Sequence, residues 1–154
     1  MTSLLTKTLF ILMILNCTTA IAVVHPLQKA PSFSVLSHDG SIVRLNQFKG
    51  KVIVLEWFNQ QCPFVRKFYE SNSMQKWQDV FVTKGVVWLT INSTAPDKIG
   101  YENLKQTRNT RLKLNIRSSY NIIDSSGELG RKYGAKTTPH IFILDKDHLV
   151  TYQG

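Results

Sequence analysis

From about residue 30 onward the chain alternates short apolar runs with polar segments of helical period. "PSFSVLSHDGSIVRL" predicts two short strands around the Asp39-Gly40 turn, with period-two alternation only partly kept at Ile42, Val43 and Leu45. "KVIVLEWF" is a continuous apolar run rich in β-branched residues, as a central strand covered on both faces requires. After Cys62, the positions Phe64, Phe68, Trp77 and Phe81 share one stripe only if a helix bends or breaks near Ser71-Asn72-Ser73. A helix with a weak middle is therefore predicted. "GVVWLTIN" is the next buried strand, residues 100–113 read as a basic helix, and "YNIID" and "HIFILD" as strands separated by a helical Ser125–Tyr133. Asp145–Asp147 turns the chain into a last strand, "LVTYQ". This order indicates an α/β sheet domain.

The first 22 residues break the pattern. A lysine at Lys7, an apolar run Leu9–Leu15 and Ala20 with Ala22 in A-x-A spacing predict a secretory signal peptide cleaved after Ala22. The run is shorter than the about 20 residues a bilayer span needs, so no stable membrane insertion is expected after cleavage. The remainder, 23–154, suffices for one domain and holds a single cysteine, Cys62, which excludes a disulfide-stapled scaffold. The expected location is secreted or periplasmic.

Charge changes the picture little. The formal net charge is +9, and Lys98, Lys105, Arg108, Arg111, Lys113 and Arg117 face only Glu102 among acids in their segment. A solvated helix face is the expected reading, with attraction of anionic partners as the alternative. Nucleic acid is not an expected partner, because no recognition motif is present.

Candidate chemistry centres on Cys62. A helix starting at Pro63 would place proline at its first position and Cys62 at its N-cap. The sulfur would then meet free backbone N–H groups and the positive end of the helix dipole, both of which favour thiolate. Arg66 and Lys67 would add positive potential. The alternative is an inert buried thiol. Trp57, Phe58 and Phe64 flank the cysteine as a possible apolar lip, although aromatics at a strand end are commonly core. Trp77, Phe81 and Trp88 are assigned to the core.

Ala30-Pro31-x-Phe33, Asp39-Gly40, Phe48-Lys49-Gly50-Lys51, the apolar strand ending in Trp57-Phe58, Cys62-Pro63 and Thr138-Pro139 together resemble the thioredoxin-like redoxins, specifically the alkyl hydroperoxide reductase/thiol-specific antioxidant group and its exported relatives. The likeness covers residues 30–154. It implies a thioredoxin-like fold, a central mixed sheet flanked by helices, with the usual C-terminal helix missing after Gly154 and an apolar patch exposed in its place. It puts Cys62 at the nucleophilic position, Val65 where a resolving cysteine would stand, and Glu56 where a buried acid moves protons. It also implies a cis Thr138-Pro139 loop whose residue before the proline offers its backbone to a substrate; Asn59, whose amide would hydrogen-bond a peroxide or the thiolate, and Pro63 are the other substrate-binding candidates.

The resemblance thus implies a thiol oxidoreductase using one cysteine on disulfides or peroxides and released by an external thiol. Its partners would be an external thiol reductant or a disulfide-containing protein, or a small peroxide. A one-cysteine peroxidase of antioxidant type is the second reading; there the expected Thr or Ser three residues before the cysteine is Asn59, and the expected proline is Glu56. A non-catalytic binding module is the third. For Glu56 a strand-end residue reaching solvent competes with a buried acid of raised pKa. His140 is read as the first residue of a strand rather than as a Cys–His partner, and no metal or cofactor is expected. Asn92-Ser93-Thr94 fits a glycosylation acceptor by pattern alone.

Overall fold

A computed structural model describes residues 26–154. The expected signal segment and its cleavage after Ala22 lie outside the described residues.

The strands are β1 (Ser34–Ser37), β2 (Ile42–Arg44), β3 (Ile53–Trp57), β4 (Val87–Asn92), β5 (Tyr120–Ile123), β6 (His140–Leu144) and β7 (Val150–Gln153). The helices are α1 (Pro63–Glu70), α2 (Ser73–Thr83), α3 (Leu104–Lys113) and α4 (Glu128–Tyr133), and a 3-10 turn covers Leu45–Phe48. One sheet holds all seven strands in the order β2-β1-β5-β4-β3-β6-β7. β3, β4 and β5 run parallel, while β1, β6 and β7 are antiparallel to their neighbours.

β3 is buried along its whole length, as its unbroken apolar run requires. Its period of two divides the core. Ile53, Leu55 and Trp57 point into a layer with Leu89, Ile91, Phe142, Leu129 and Tyr133, while Val54 joins Val65, Tyr69, Met74 and Trp88 on the opposite face. Helices α1 and α2 cover that second face.

The predicted helix with a weak middle is two helices. Asn72 between them sits in the left-handed region at φ 56°, which Asn tolerates and a β-branched residue does not. Asn72→Val is expected to cost about 1–2 kcal/mol, read as a lower urea midpoint; an unchanged midpoint would show that the junction relaxes freely.

The stripe on these helices is rotated from the one expected. Val65, Tyr69, Met74, Gln75 and Gln78 face inward, whereas Phe64, Trp77 and Phe81 are exposed by 69%, 51% and 43%. Trp77 and Phe81 are therefore not core, and Trp88 is. The inward polar residues are held by Glu56, as described below, and the larger aromatics are left outward with Val80, forming the exposed apolar surface of α2.

The basic segment also differs in detail. Its helix begins at Leu104 rather than at residue 100, capped by Asn103 and Gln106. Arg108 donates to the His38 carbonyl, and Arg111 donates to Ser118 and Asn121, so two of its cations brace the fold while its lysines are solvated. Asn92 is buried, with its amide donating to the Gly100 carbonyl at 2.9 Å. The Asn92-Ser93-Thr94 pattern is therefore no glycan acceptor in the folded chain.

Candidate active site

β3 delivers the chain to a short loop, Asn59–Gln61, that sets the thiol in place. Asn59 Oδ1 accepts from the Gln61 N–H at 2.8 Å, and its carbonyl accepts from the Cys62 N–H at 2.9 Å. Its amide nitrogen donates to Thr94 Oγ1 at 3.2 Å and to the Ile99 carbonyl at 3.1 Å. Gly100 (φ 91°) lies against this side chain, and a Cβ there would collide with it.

Cys62 is the N-cap of α1 in extended conformation, with Pro63 in the first turn and the Arg66 N–H bonded to the Cys62 carbonyl. The thiol is half-buried and free. Its sulfur makes no capping hydrogen bond of ordinary geometry, yet the backbone N–H groups of Val65 and Phe64 act on it. Desolvation works against ionisation, yet the Cys62 pKa lies below the usual thiol value, and Thr138, Val65 and Phe64 are the groups in contact with the sulfur. Of these contacts, the amides are the ones that hold an anion. The Thr138 carbonyl, 3.0 Å from the sulfur, accepts the S–H and holds the proton of the neutral form. Arg66 adds little, because it pairs with Glu70 at 3.1 Å with both side chains more than half exposed.

Thr138-Pro139 is a cis peptide bond. The structure thus brings Cys62, Pro63, Thr138 and Pro139 together across 76 residues of sequence. Beside them a groove of about 360 Å³ is lined by Phe58, Asn59, Thr94, Lys136, Thr137 and Thr138. Trp57 and Phe58 are core, and Phe64 alone of the three flanking aromatics stands out into solvent. His140 opens β6, accepts from the Lys136 N–H at 3.3 Å and packs its ring on Phe142 at 4.6 Å. Phe142 belongs to the layer opposite α1, so His140 faces away from the thiol-bearing helix.

Glu56 is fully buried. Its Oε1 accepts from Tyr69 Oη at 2.8 Å, and its Oε2 from Trp88 Nε1 at 2.8 Å, Gln78 Nε2 at 3.0 Å and Thr90 Oγ1 at 3.5 Å. Burial raises its pKa despite these donors, and pushes the Tyr69 phenol well up. Gln78 also donates to Tyr69 Oη and accepts from the Arg117 N–H. The carboxylate therefore ties β3 to α1, α2 and β4, and none of these bonds goes to Cys62. Tyr69 and Gln78 carry no sequence motif; the one signal available was polar residues on the side of α2 that a sheet-facing stripe must occupy.

A model of the AhpC/TSA family matches residues 26–153. Thiol-disulfide oxidoreductases ResA of Bacillus thuringiensis subsp. konkukian (strain 97-27) and of Bacillus cereus (strain ATCC 10987 / NRS 248) are each 27% identical over 120 residues, covering 78% of this chain. The chain spans 64% of the length of either relative. Among solved structures, an uncharacterized conserved protein from Geobacillus kaustophilus superposes with a TM-score of 0.77 at 24% identity, over 84% of this chain and 68% of its own. The thioredoxin domain of a thiol-disulfide oxidoreductase from Bacteroides vulgatus superposes with a TM-score of 0.67 at 18% identity, over 84% and 88% of the two chains. These likenesses show a thioredoxin-like fold.

Proposed function

The chain belongs to the AhpC/TSA family, and we propose that it is a thiol-disulfide oxidoreductase in which Cys62 is the only nucleophile. One observation carries this reading: Cys62 stands at the N-cap of α1 with its pKa lowered and its sulfur 3.0 Å from the Thr138 carbonyl, at the rim of an open groove. The Cys62 thiolate attacks one sulfur of a substrate disulfide; the new S–S bond forms as the old one breaks, and the second substrate sulfur leaves as a thiolate. An external thiol then attacks the mixed disulfide and returns Cys62 as thiolate. Val65, buried where a resolving cysteine would stand, cannot perform this second step.

Pro63, Thr138 and Pro139 form the edge on which a substrate strand would lie. Asn59 shapes that edge through the loop, since its amide is spent on Thr94 and Ile99. Glu56 is a positioning residue that acts on α1 through Tyr69. The segment 1–22 supports export, and the external thiol and disulfide partners belong to that compartment.

Alkylation of Cys62 by iodoacetamide, followed from pH 5 to 10, tests the reading. An apparent pKa below the usual value of about 8.5 is expected; a value at or above it would leave an inert module. Oxidised glutathione is expected to consume the thiol and reduced glutathione to restore it. Loss to hydrogen peroxide alone would transfer the site to peroxidase chemistry.

Val65→Cys supplies the missing sulfur one helical turn from Cys62. After treatment with oxidised glutathione this variant is expected to close an internal disulfide, whereas the parent holds one glutathione adduct per Cys62. Intact mass distinguishes the two. A persistent adduct on the variant would show that position 65 cannot reach the nucleophile.

A further inference from the structure

At the end of the sheet opposite Cys62, the fold collects five exposed lysines from distant parts of the chain. Lys29 lies where the N-terminal segment bridges to Leu149. Lys49 and Lys51 flank the turn before β3, Lys84 ends α2, and Lys146 sits in the β6–β7 hairpin. Contacts between these loops hold the group together: the Gly50 N–H donates to the Lys146 carbonyl at 3.2 Å, Lys51 Nζ lies beside Gly85, and Lys29 Nζ donates to the Asp147 carbonyl. Two adjoining clefts share Lys146, one with Lys29 and Lys49, the other with Lys51 and Lys84.

The ion pairs of the described residues, Arg66–Glu70, Arg117–Asp79 and Lys132–Glu128, leave all five lysines without a carboxylate partner. The acids at this end are Asp145 and Asp147, and Asp145 accepts from the backbone N–H groups of its own turn. Five lysines against these two acids leave the surface with a net positive charge. At roughly 3.3 Å per strand residue, β3 separates it from the Cys62 loop by more than about 15 Å.

We propose that this lysine pole docks the domain on a bilayer surface bearing anionic headgroups, with the thiol turned away toward solvent. Two observations select lipid over other polyanions. Leu27 is 77% exposed and its N–H is bonded to the Val150 carbonyl at 2.7 Å, which sets an apolar side chain beside Lys29 at this same end, suited to the headgroup boundary. The cations are all lysine, with no exposed aromatic or arginine among the residues of the two clefts. Nucleic-acid surfaces use aromatic stacking and arginine forks, whereas diffuse lysine charge suffices for acidic lipid.

Sedimentation of the full chain with phosphatidylcholine vesicles, with and without 30% phosphatidylglycerol, tests this. Binding to the anionic vesicles is expected to be at least about tenfold tighter, and to fall to the neutral level in high salt. Lys51→Glu/Lys84→Glu/Lys146→Glu is expected to lose the preference. Lys98→Glu/Lys105→Glu/Lys113→Glu, the same charge change on the α3 side, is expected to retain it. Equal binding to both vesicles, or equal loss in both variants, would overturn the proposal. So would tighter binding to duplex DNA than to the anionic vesicles. Cys62 on the vesicle-bound wild type is expected to be alkylated at the rate of the free protein; protection would overturn the proposed orientation. Neither binding arm depends on what Cys62 does chemically.

Discussion

Cys62→Ser is expected to reduce thiol-disulfide exchange to the buffer rate while leaving the fold intact. Serine is among the preferred N-cap residues, so the start of α1 keeps its backbone and gains a better hydrogen-bonding cap. Only the nucleophile changes: a hydroxyl at this position has no base in hydrogen-bond contact to activate it and stays protonated at neutral pH. The matched measurements are exchange with a model disulfide and thermal unfolding of parent and variant. A melting temperature within a few degrees, together with residual exchange at a tenth or more of the parent rate, would move the chemistry off this residue. Loss of both would show only that the variant misfolds, and alkylation of the parent would then carry the test.

The largest stability effect is expected at Glu56. Glu56→Ala strips the acceptor from the Trp88 N–H, the Tyr69 O–H and one Gln78 N–H at once, all buried. Each buried donor left unpaired costs about 1–3 kcal/mol, and a cavity adds to this. A total of at least about 3 kcal/mol places the change in the tail of single substitutions and takes a large share of an ordinary domain's stability. A shift in the urea midpoint worth less than about 1 kcal/mol would mean that the network is replaceable by water.

Glu56→Gln separates positioning from proton transfer. Because burial raises the folded pKa of Glu56, its protonated form is the one folding favours. The corresponding stability is complete below the unfolded value of about 4.3 and declines as pH rises through the folded pKa. The advantage of the parent over Glu56→Gln should therefore be greatest in acid and shrink toward neutrality. If Glu56 only holds α1, the pH profile of Cys62 alkylation stays where it was. A displacement of about one unit would make the carboxyl a participant in the ionisation of the thiol.

Much of the framework was legible because it depends on local patterning. The unbroken run at residues 52–57, the Asp39-Gly40 turn and the Cys62-Pro63 helix start each state their structure within a few residues. The orientation of α1 and α2 was not legible, because hydrophobicity pointed to Phe64, Trp77 and Phe81 while the buried carboxylate of Glu56 recruited Tyr69 and Gln78 to the inner side. A polar anchor overrode the apolar stripe. Asn92 failed as a glycan acceptor for a similar reason, its amide being drawn inward by the Gly100 carbonyl. Lys29, Lys49, Lys51, Lys84 and Lys146 are isolated in sequence, and only the sheet order makes them neighbours. The conspicuous basic run at 98–117 proved partly structural, through Arg108 and Arg111.

The position of β6 has a consequence for biosynthesis. β3 leads directly into Cys62 early in the chain, but its second neighbour arrives more than eighty residues later in sequence, bringing Thr138 to the sulfur only when Ile53–Trp57 pairs with His140–Leu144. Until that pairing, an emerging polypeptide holds the thiol of Cys62 without the Thr138 carbonyl beside it. The nascent chain is thus most open to exchange with small disulfides such as oxidised glutathione during a defined interval, and that hazard closes when the sixth strand anneals.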